Sequence, residues 1–267
     1  DGPWARLGAM DSTVQASSGF MSMTGYPDRS GVRTSATFID MGTGSHLVSG
    51  ILAALLQRER SGRGQRVEVA MLDVCVPALT GLVADHLQER KLKRLGNRHR
   101  NACPSDVYPA LDGEVLIFCL TEPHWRSLAR LMGREELIDE PRFKDHATRL
   151  VNVDEVDRAV TEWTRGLRRD ELIATLTGQG VPCAPVRTIE ELVADPEVAR
   201  RGMLLDSEFP SRGAIKVAGS PIKMWQAPQP ERPWMRPPML GEHTAEVLAS
   251  IGIGAAELER LRGDGVV

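Results

Sequence analysis

The residue best placed for chemistry is Asp40, within Phe38-Ile39-Asp40-Met41-Gly42-Thr43-Gly44-Ser45-His46. An apolar, β-rich approach ends in a carboxylate. Two glycines follow, and a periodic apolar segment starts near Ser45. That order predicts a strand, a glycine turn and a helix N-terminus. A helix N-terminus leaves its first backbone N–H groups without partners and carries about half a positive charge. Gly42 and Gly44 let a ligand approach the backbone closely. The amides around Gly42, Gly44 and Ser45 are therefore candidates to hold an oxyanion, a thiolate or a phosphate. A carboxylate beside such a dipole is favoured in its charged form and can act as a nucleophile. The same spacing also fits Asp40 as a cap or turn residue without chemistry. His46 is a candidate to support a negatively charged intermediate, or a packed histidine. No G-x-G-x-x-G, G-K-[ST], G-x-S-x-G or H-E-x-x-H occurs, which argues against a dinucleotide site, a P-loop, a hydrolase elbow and a zincin.

The flanking patterns say what must position these residues. Leu47, Val48, Ile51, Leu52, Leu55 and Leu56 recur at helical spacing up to Arg60, and Ser61-Gly62-Arg63-Gly64 supplies the stop. Residues 66–71 alternate polar and apolar as a half-buried strand does. A helix is expected over 73–87, with Pro77 as a kink. Residues 88–103 are charged and punctuated, and read as a linker whose basic run either contacts phosphates or is simply solvated. Strands over 107–110 and 114–120 meet at Asp112-Gly113. Thr121 is placed to cap a helix with Pro123 in its first turn and Trp125, Leu128, Leu131 and Met132 inward. Helices are expected at 153–166 and 169–178, then an edge strand over 181–186 that tolerates two prolines. Short helices at 189–193 and 196–201, a hairpin around Ser211-Arg212-Gly213, a stiff run from Pro228 to Pro238 and helices at 242–251 and 255–262 complete the chain.

Composition bounds the alternatives. The 267 residues are 42% hydrophobic and 26% charged, which fits a folded domain and argues against disorder. A net charge of −3 argues against a strongly basic nucleic-acid binder. No apolar run reaches the roughly 20 residues of a membrane span. Aromatics are only 4%, so the core rests on aliphatic residues and Met. Cys75, Cys103, Cys119 and Cys183 form no C-x-x-C pair and no zinc spacing. They read as reduced, mostly buried thiols of a cytoplasmic protein.

Taken together, these stretches resemble the family III CoA-transferases, the CaiB–BaiF family that includes formyl-CoA transferase and α-methylacyl-CoA racemase. The matching residues are 38–46, Gly50-Ile51-Leu52-Ala53-Ala54-Leu55, Arg58 to Gln65, Met71-Leu72-Asp73, Gly96-Asn97, Tyr108-Pro109 with Asp112-Gly113, Trp125, Gly180-Val181-Pro182 with Ala184-Pro185-Val186, and Leu240-Gly241-Glu242-His243-Thr244. They occur in family order along nearly the whole chain.

The resemblance implies an α/β fold. Residues 1–87 would be the rear part of a Rossmann-like large domain, 88–103 a linker, 104–200 a small α/β domain and 201–267 a return to the large domain. It implies that Asp40 attacks an acyl-CoA thioester, giving an aspartyl anhydride and then an aspartyl-CoA thioester, with Gly42, Gly44, Ser45 and His46 supporting the charge. Coenzyme A enters as the acyl-CoA substrate, with no metal and no nucleotide cofactor. Partners would be the acyl-CoA, a carboxylic acid and a second chain in an interlocked homodimer or a heteromer, with no nucleic acid or membrane. Family members carry an N-terminal segment that supplies much of the CoA pocket. The Asp1-Gly2-Pro3 opening therefore suggests a truncated chain, or one half of a split enzyme. Two alternatives stand beside transfer. One is a non-catalytic subunit needing a partner chain. The other is an acyl-CoA racemase, whose Gly-His-Asp histidine is matched here by Met10 in Ala9-Met10-Asp11. A thioether cannot exchange a proton near neutral pH, which disfavours racemisation and leaves Asp11 an orienting or structural residue.

Overall fold

The computed structural model describes residues 2–210, 212–224 and 236–267. The chain divides into two compact units, residues 1–186 and 187–267.

The first unit opens with five helices: α1 (Asp11–Ser17), α2 (Phe20–Met23), α3 (Phe38–Ser61), α4 (Met71–Ala78) and α5 (Thr80–Leu87). The first four share a small core of Val14, Ile39 and Cys75, with Phe20, Phe38, Met71 and Leu72 packed around it. Phe20 meets Phe38 edge to face at 4.8 Å between centroids.

Two expectations are corrected in this part. First, no strand and glycine turn precede the long helix. It starts at Phe38 and takes in Asp40, Gly42 and Gly44. A glycine inside a helix costs about 1 kcal/mol against alanine. At Gly42 that cost has a packing return, because a Cβ there would stand 3.3 Å from Val74 Cγ1 on α4. Second, residues 66–70 form no strand. Their alternation survives, with Val67 and Val69 half-buried and their neighbours exposed, but no described strand lies beside them to complete a ladder. The helix α3 is 24 residues long and, by length and composition alone, could cross a membrane. Pro77 acts as expected, and the helix foreseen over 73–87 breaks at Leu79 into α4 and α5. Gly62 ends α3 with φ 71°, its amide donating to Arg58 O at 2.8 Å.

The rest of the first unit surrounds a three-stranded antiparallel sheet in the order β1 (Ser105–Ala110), β2 (Gly113–Phe118), β3 (Cys183–Pro185). Leu111-Asp112 turns β1 into β2, with Ala110 opposite Gly113. The proline-bearing β3 takes an edge, as it must. Helices α6 (Glu122–Leu131), α7 (His146–Val151), α8 (Val153–Thr164) and α9 (Arg169–Gly178) join it. Their inward residues, Trp125 and Leu128, Val156 and Val160, Leu172 and Leu176, close over Tyr108, Val115 and Ile117. Thr121 occupies the N-cap of α6 but makes no side-chain cap bond, contrary to expectation. Cys75, Cys103 and Cys119 are buried free thiols and Cys183 is half-buried. Burial pushes the Cys103 and Cys119 thiols up to about 12, so neither is a ready nucleophile.

The basic stretch 88–103 is tied inward. Arg94 donates to the carbonyls of Tyr26, Ser22 and Arg29, at 3.1, 3.0 and 2.5 Å. Arg98 pairs with Asp154 and Asp157, and Arg100 with Asp85. These cations hold segments of the first unit together, which leaves them committed rather than open to phosphate.

The second unit contains α10 (Ile189–Ala194), α11 (Pro196–Arg200), the antiparallel hairpin of β4 (Leu204–Phe209) and β5 (Gly213–Ala218), then α12 (Thr244–Ser250) and α13 (Ala255–Gly263). Thr188 and Glu191 form a reciprocal capping box at α10. Ser211 and the prolines at 228, 230 and 233, expected in a turn and a stiff connector, lie outside the described residues.

The sheet-bearing part depends on Arg149, whose side chain is fully buried. Its guanidinium forks onto Glu122 at 2.6 and 3.1 Å, donates to the carbonyls of Cys103 and Phe143, and lies 5.2 Å over the Trp125 ring. Arg149→Ala would strand these acceptors and is expected to cost about 3 kcal/mol. Urea unfolding followed by Trp fluorescence reads this directly; a loss below about 1 kcal/mol would show that the network adds little.

Candidate active site

The site is built on the first turns of α3. Asp40 is the third residue of the helix, and its side chain is exposed. Among the described residues nothing bonds or pairs with its carboxylate. The backbone beneath it is held from a distant part of the chain. Asp11, at the start of α1, accepts from Ile39 N at 2.9 Å and Asp40 N at 3.2 Å, both on Oδ2. Its Oδ1 accepts from Gln15 Nε2 at 2.5 Å. Gln15 is anchored in turn, its Oε1 taking Thr34 N at 3.0 Å. Asp11 and Gln15 are 7% and 1% exposed. Thr37, the residue of capping type at the helix start, makes no side-chain cap bond. The cap therefore comes from 28 residues away, where no local spacing rule would look. Asp11 stood out only through the Ala9-Met10-Asp11 match; Gln15 carried no signal.

Burial works against a charge on Asp11. The hydrogen bonds from Gln15, Asp40 N and Ile39 N, with the nearby Arg33 charge, outweigh it and hold the carboxyl below its ordinary value.

The helix spreads the other candidate residues around its axis. With about 100° of turn per residue, Gly44 shares Asp40's side, whereas Gly42, Ser45 and His46 lie roughly 120–160° away. Gly42 and His46 line a cleft of about 300 Å³ with Phe38, Ile39, Val74, Cys75, Pro77 and Ala78. His46 Nδ1 bonds with Gly42 O at 2.8 Å and Ser45 Oγ donates to Met41 O at 2.9 Å, so both polar groups are turned back onto their own helix. Being past the first turn, the amides of residues 42–46 belong to the helical ladder rather than to an open loop. Gly44 is different: a Cβ there would meet nothing within 4 Å, so this flank beside Asp40 is open.

Comparison with known proteins decides the family. The model of CoA-transferase family III matches residues 1–244. The chain belongs to CoA-transferase family III. Membership places it among enzymes, with CoA transfer as its class. It is 33% identical, over its whole length, to formyl-CoA:oxalate CoA-transferase from Streptomyces avermitilis, of which it spans 69%. It is 35% identical over 94% of its length to succinate–glutarate CoA-transferase from Agrobacterium fabrum, of which it spans 62%. Among solved structures it is similar to a CaiB/BaiF family protein from Brucella suis, with a TM-score of 0.78 and 31% identity over 94% of this chain and 65% of that one.

The Asp11 link carries a pH dependence with a definite sign. A carboxyl depressed on folding stabilises the fold fully above its unfolded value, about pH 4, and that contribution is lost as pH falls through the lower folded value. Amide-exchange protection at Ile39 and Asp40 should hold from about pH 7 to about pH 4 and collapse below. Protection at these two amides that is equally acid-resistant in Asp11→Asn would mean that the charge of Asp11 does not hold this turn.

Proposed function

We propose that this chain moves CoA between an acyl-CoA and a carboxylic acid, with Asp40 as the covalent nucleophile. One observation carries the proposal: Asp40 presents an exposed, unpaired carboxylate on a helix turn whose Ile39 and Asp40 amides are already taken by another carboxylate. Attack of an Asp40 oxygen on the thioester carbonyl breaks the C–S bond, releasing CoA thiolate and leaving a mixed anhydride. The thiolate then attacks the aspartyl carbonyl and expels the donor acid, leaving an aspartyl-CoA thioester. The acceptor carboxylate attacks that thioester and again frees the thiolate. Thiolate attack on the acceptor's acyl carbon restores Asp40 and yields the new acyl-CoA. Activation is conserved through each exchange, so no ATP is consumed.

Of the residues expected to support the charge, Gly44 leaves an open flank beside Asp40 for the substrate, while Ser45 and His46 bond back onto their own helix. Leu47, Val48, Ile51, Leu52, Leu55 and Leu56 are exposed along α3. Such an apolar flank supports a working enzyme in which further polypeptide, in this chain's own protein or a partner, covers the helix. We keep the division into large domain, linker, small domain and return segment, the interlocked dimer and a cytoplasmic setting as parts of this proposal. Transfer is favoured over racemisation because Met10, at the place of the racemase histidine, offers no exchangeable proton.

Two experiments test it. Hydroxylamine trapping during turnover, with oxalate, succinate or glutarate offered as acceptors, should place a hydroxamate on Asp40, and Asp40→Asn should abolish both the adduct and transfer. Undiminished transfer by Asp40→Asn would end the nucleophile assignment. Gly44→Ala should raise stability by about 0.5–1 kcal/mol, since alanine is the better helix former and meets no neighbour. It should lower kcat/KM nonetheless if the acyl group passes over that flank; a more stable variant with unchanged kcat/KM would remove Gly44 from the site.

A further inference from the structure

We propose that Asp11 and Gln15 are positioning residues for the reaction: together they hold the first turn of α3 so that the Asp40 carboxylate stays free to attack. This rests on Asp40 being the nucleophile.

In a capping box the side chain at the third helical position accepts from the N-cap amide, which in α3 is Thr37 N. A carboxylate so engaged shares its charge with the donors and points along the helix axis rather than outward. In this chain Asp11 Oδ2 accepts the Ile39 and Asp40 amides and so fixes that turn from outside the helix, while nothing among the described residues bonds the Asp40 carboxylate. Thr37, which lies next to the same turn, makes no cap bond.

The link is locked at each joint. Asp11 Oδ2 is committed to α3, and Oδ1 to Gln15 Nε2. Gln15 Oε1 accepts Thr34 N, and its Nε2 also reaches Thr34 O at 3.3 Å. Thr34 lies just before α3, so Gln15 fixes the approach to the helix while Asp11 fixes its first turn. Two carboxylates thereby take separate tasks. Asp11, buried and bonded on both oxygens, is unavailable as a nucleophile; Asp40, exposed and unbonded, is left to react. Asp11 also sets a fixed negative charge against the positive end of α3, which would otherwise stabilise Asp40 in its resting state.

The bonding pattern suggests a test that separates positioning from plain stability. Asp11→Asn keeps one acceptor oxygen for the two amides but turns Nδ2 toward Gln15 Nε2, donor against donor. The double variant Asp11→Asn/Gln15→Glu restores a donor–acceptor pair between the two side chains, retains an acceptor for Thr34 N, gives up only the long contact to Thr34 O, and returns the negative charge one helical turn away. Steady-state kinetics of the full enzyme, normalised to folded protein, should show kcat down at least about tenfold for Asp11→Asn with the acyl-CoA KM within about twofold. The double variant should recover kcat to within about threefold of the parent. Full kcat in folded Asp11→Asn would overturn the proposal. So would a double variant that regains the parent's melting temperature but not its kcat. Asp40→Asn run alongside keeps the two claims apart. If it retains transfer, the nucleophile assignment fails; if it is dead while Asp11→Asn is fully active, only the positioning role fails.

Discussion

The Asp11 carboxylate, shared between the amides of Ile39 and Asp40, joins α1 to the start of the longest helix in the described chain. The orientation of α3's first turn depends on this joint, because the residue nearby that could cap the helix does not. Its contribution comes from charge-assisted hydrogen bonds in a buried setting, where an amide left without an acceptor costs more than the bond itself provides. Ile39, whose amide Asp11 holds, is buried in the small core with Val14 and Cys75, and Asp40, the next residue on the helix, is exposed.

Packing explains features that looked chemical. Gly42 admits Val74, and Gly50 admits Val67, whose Cγ1 would lie 2.8 Å from a Cβ at that position. Both glycines let other chain segments approach α3 closely. Gly44, with open space above it, is the one of the three whose bareness faces outward beside Asp40. His46 and Ser45 are polar residues on a helix that satisfy themselves on carbonyls one turn back, as such residues commonly do.

The sheet-bearing part obeys a different constraint. Its apolar core holds a buried guanidinium with several acceptors and borders a Tyr108–Asp157–Arg98 cluster in which Tyr108 donates to Asp157 at 2.6 Å. Burial keeps the Asp157 carboxyl above its usual value even beside Arg98, and it pushes the Tyr108 hydroxyl up well beyond its own. These groups tie the 88–103 connector and α8 to β1, and burial leaves the thiols of Cys103 and Cys119 protonated within the core.

By itself the sequence determined most of the elements and the family. Periodicity located α6, α8 and α9 within a few residues, Asp112-Gly113 marked the hairpin, and two prolines placed β3 at an edge. These signals are local: each depends on residues within one or two turns, so a linear pattern contains them. Asp40 was legible as the reactive candidate because a carboxylate among glycines at a helix start is also a local pattern. What the sequence could not decide was the conformation of 38–44, since β-rich residues and glycines argue for a strand and a turn. Only tertiary structure settled it as helix, through a cap supplied by Asp11 and a groove filled by Val74. The same holds for residues 66–70, where strand-like alternation is present but pairing needs a neighbour that the local pattern cannot supply. Hydrogen bonds across 28 residues and contacts between helices arise only when the chain is folded, and for that reason the free carboxylate of Asp40 is a property of the fold as much as of the residue.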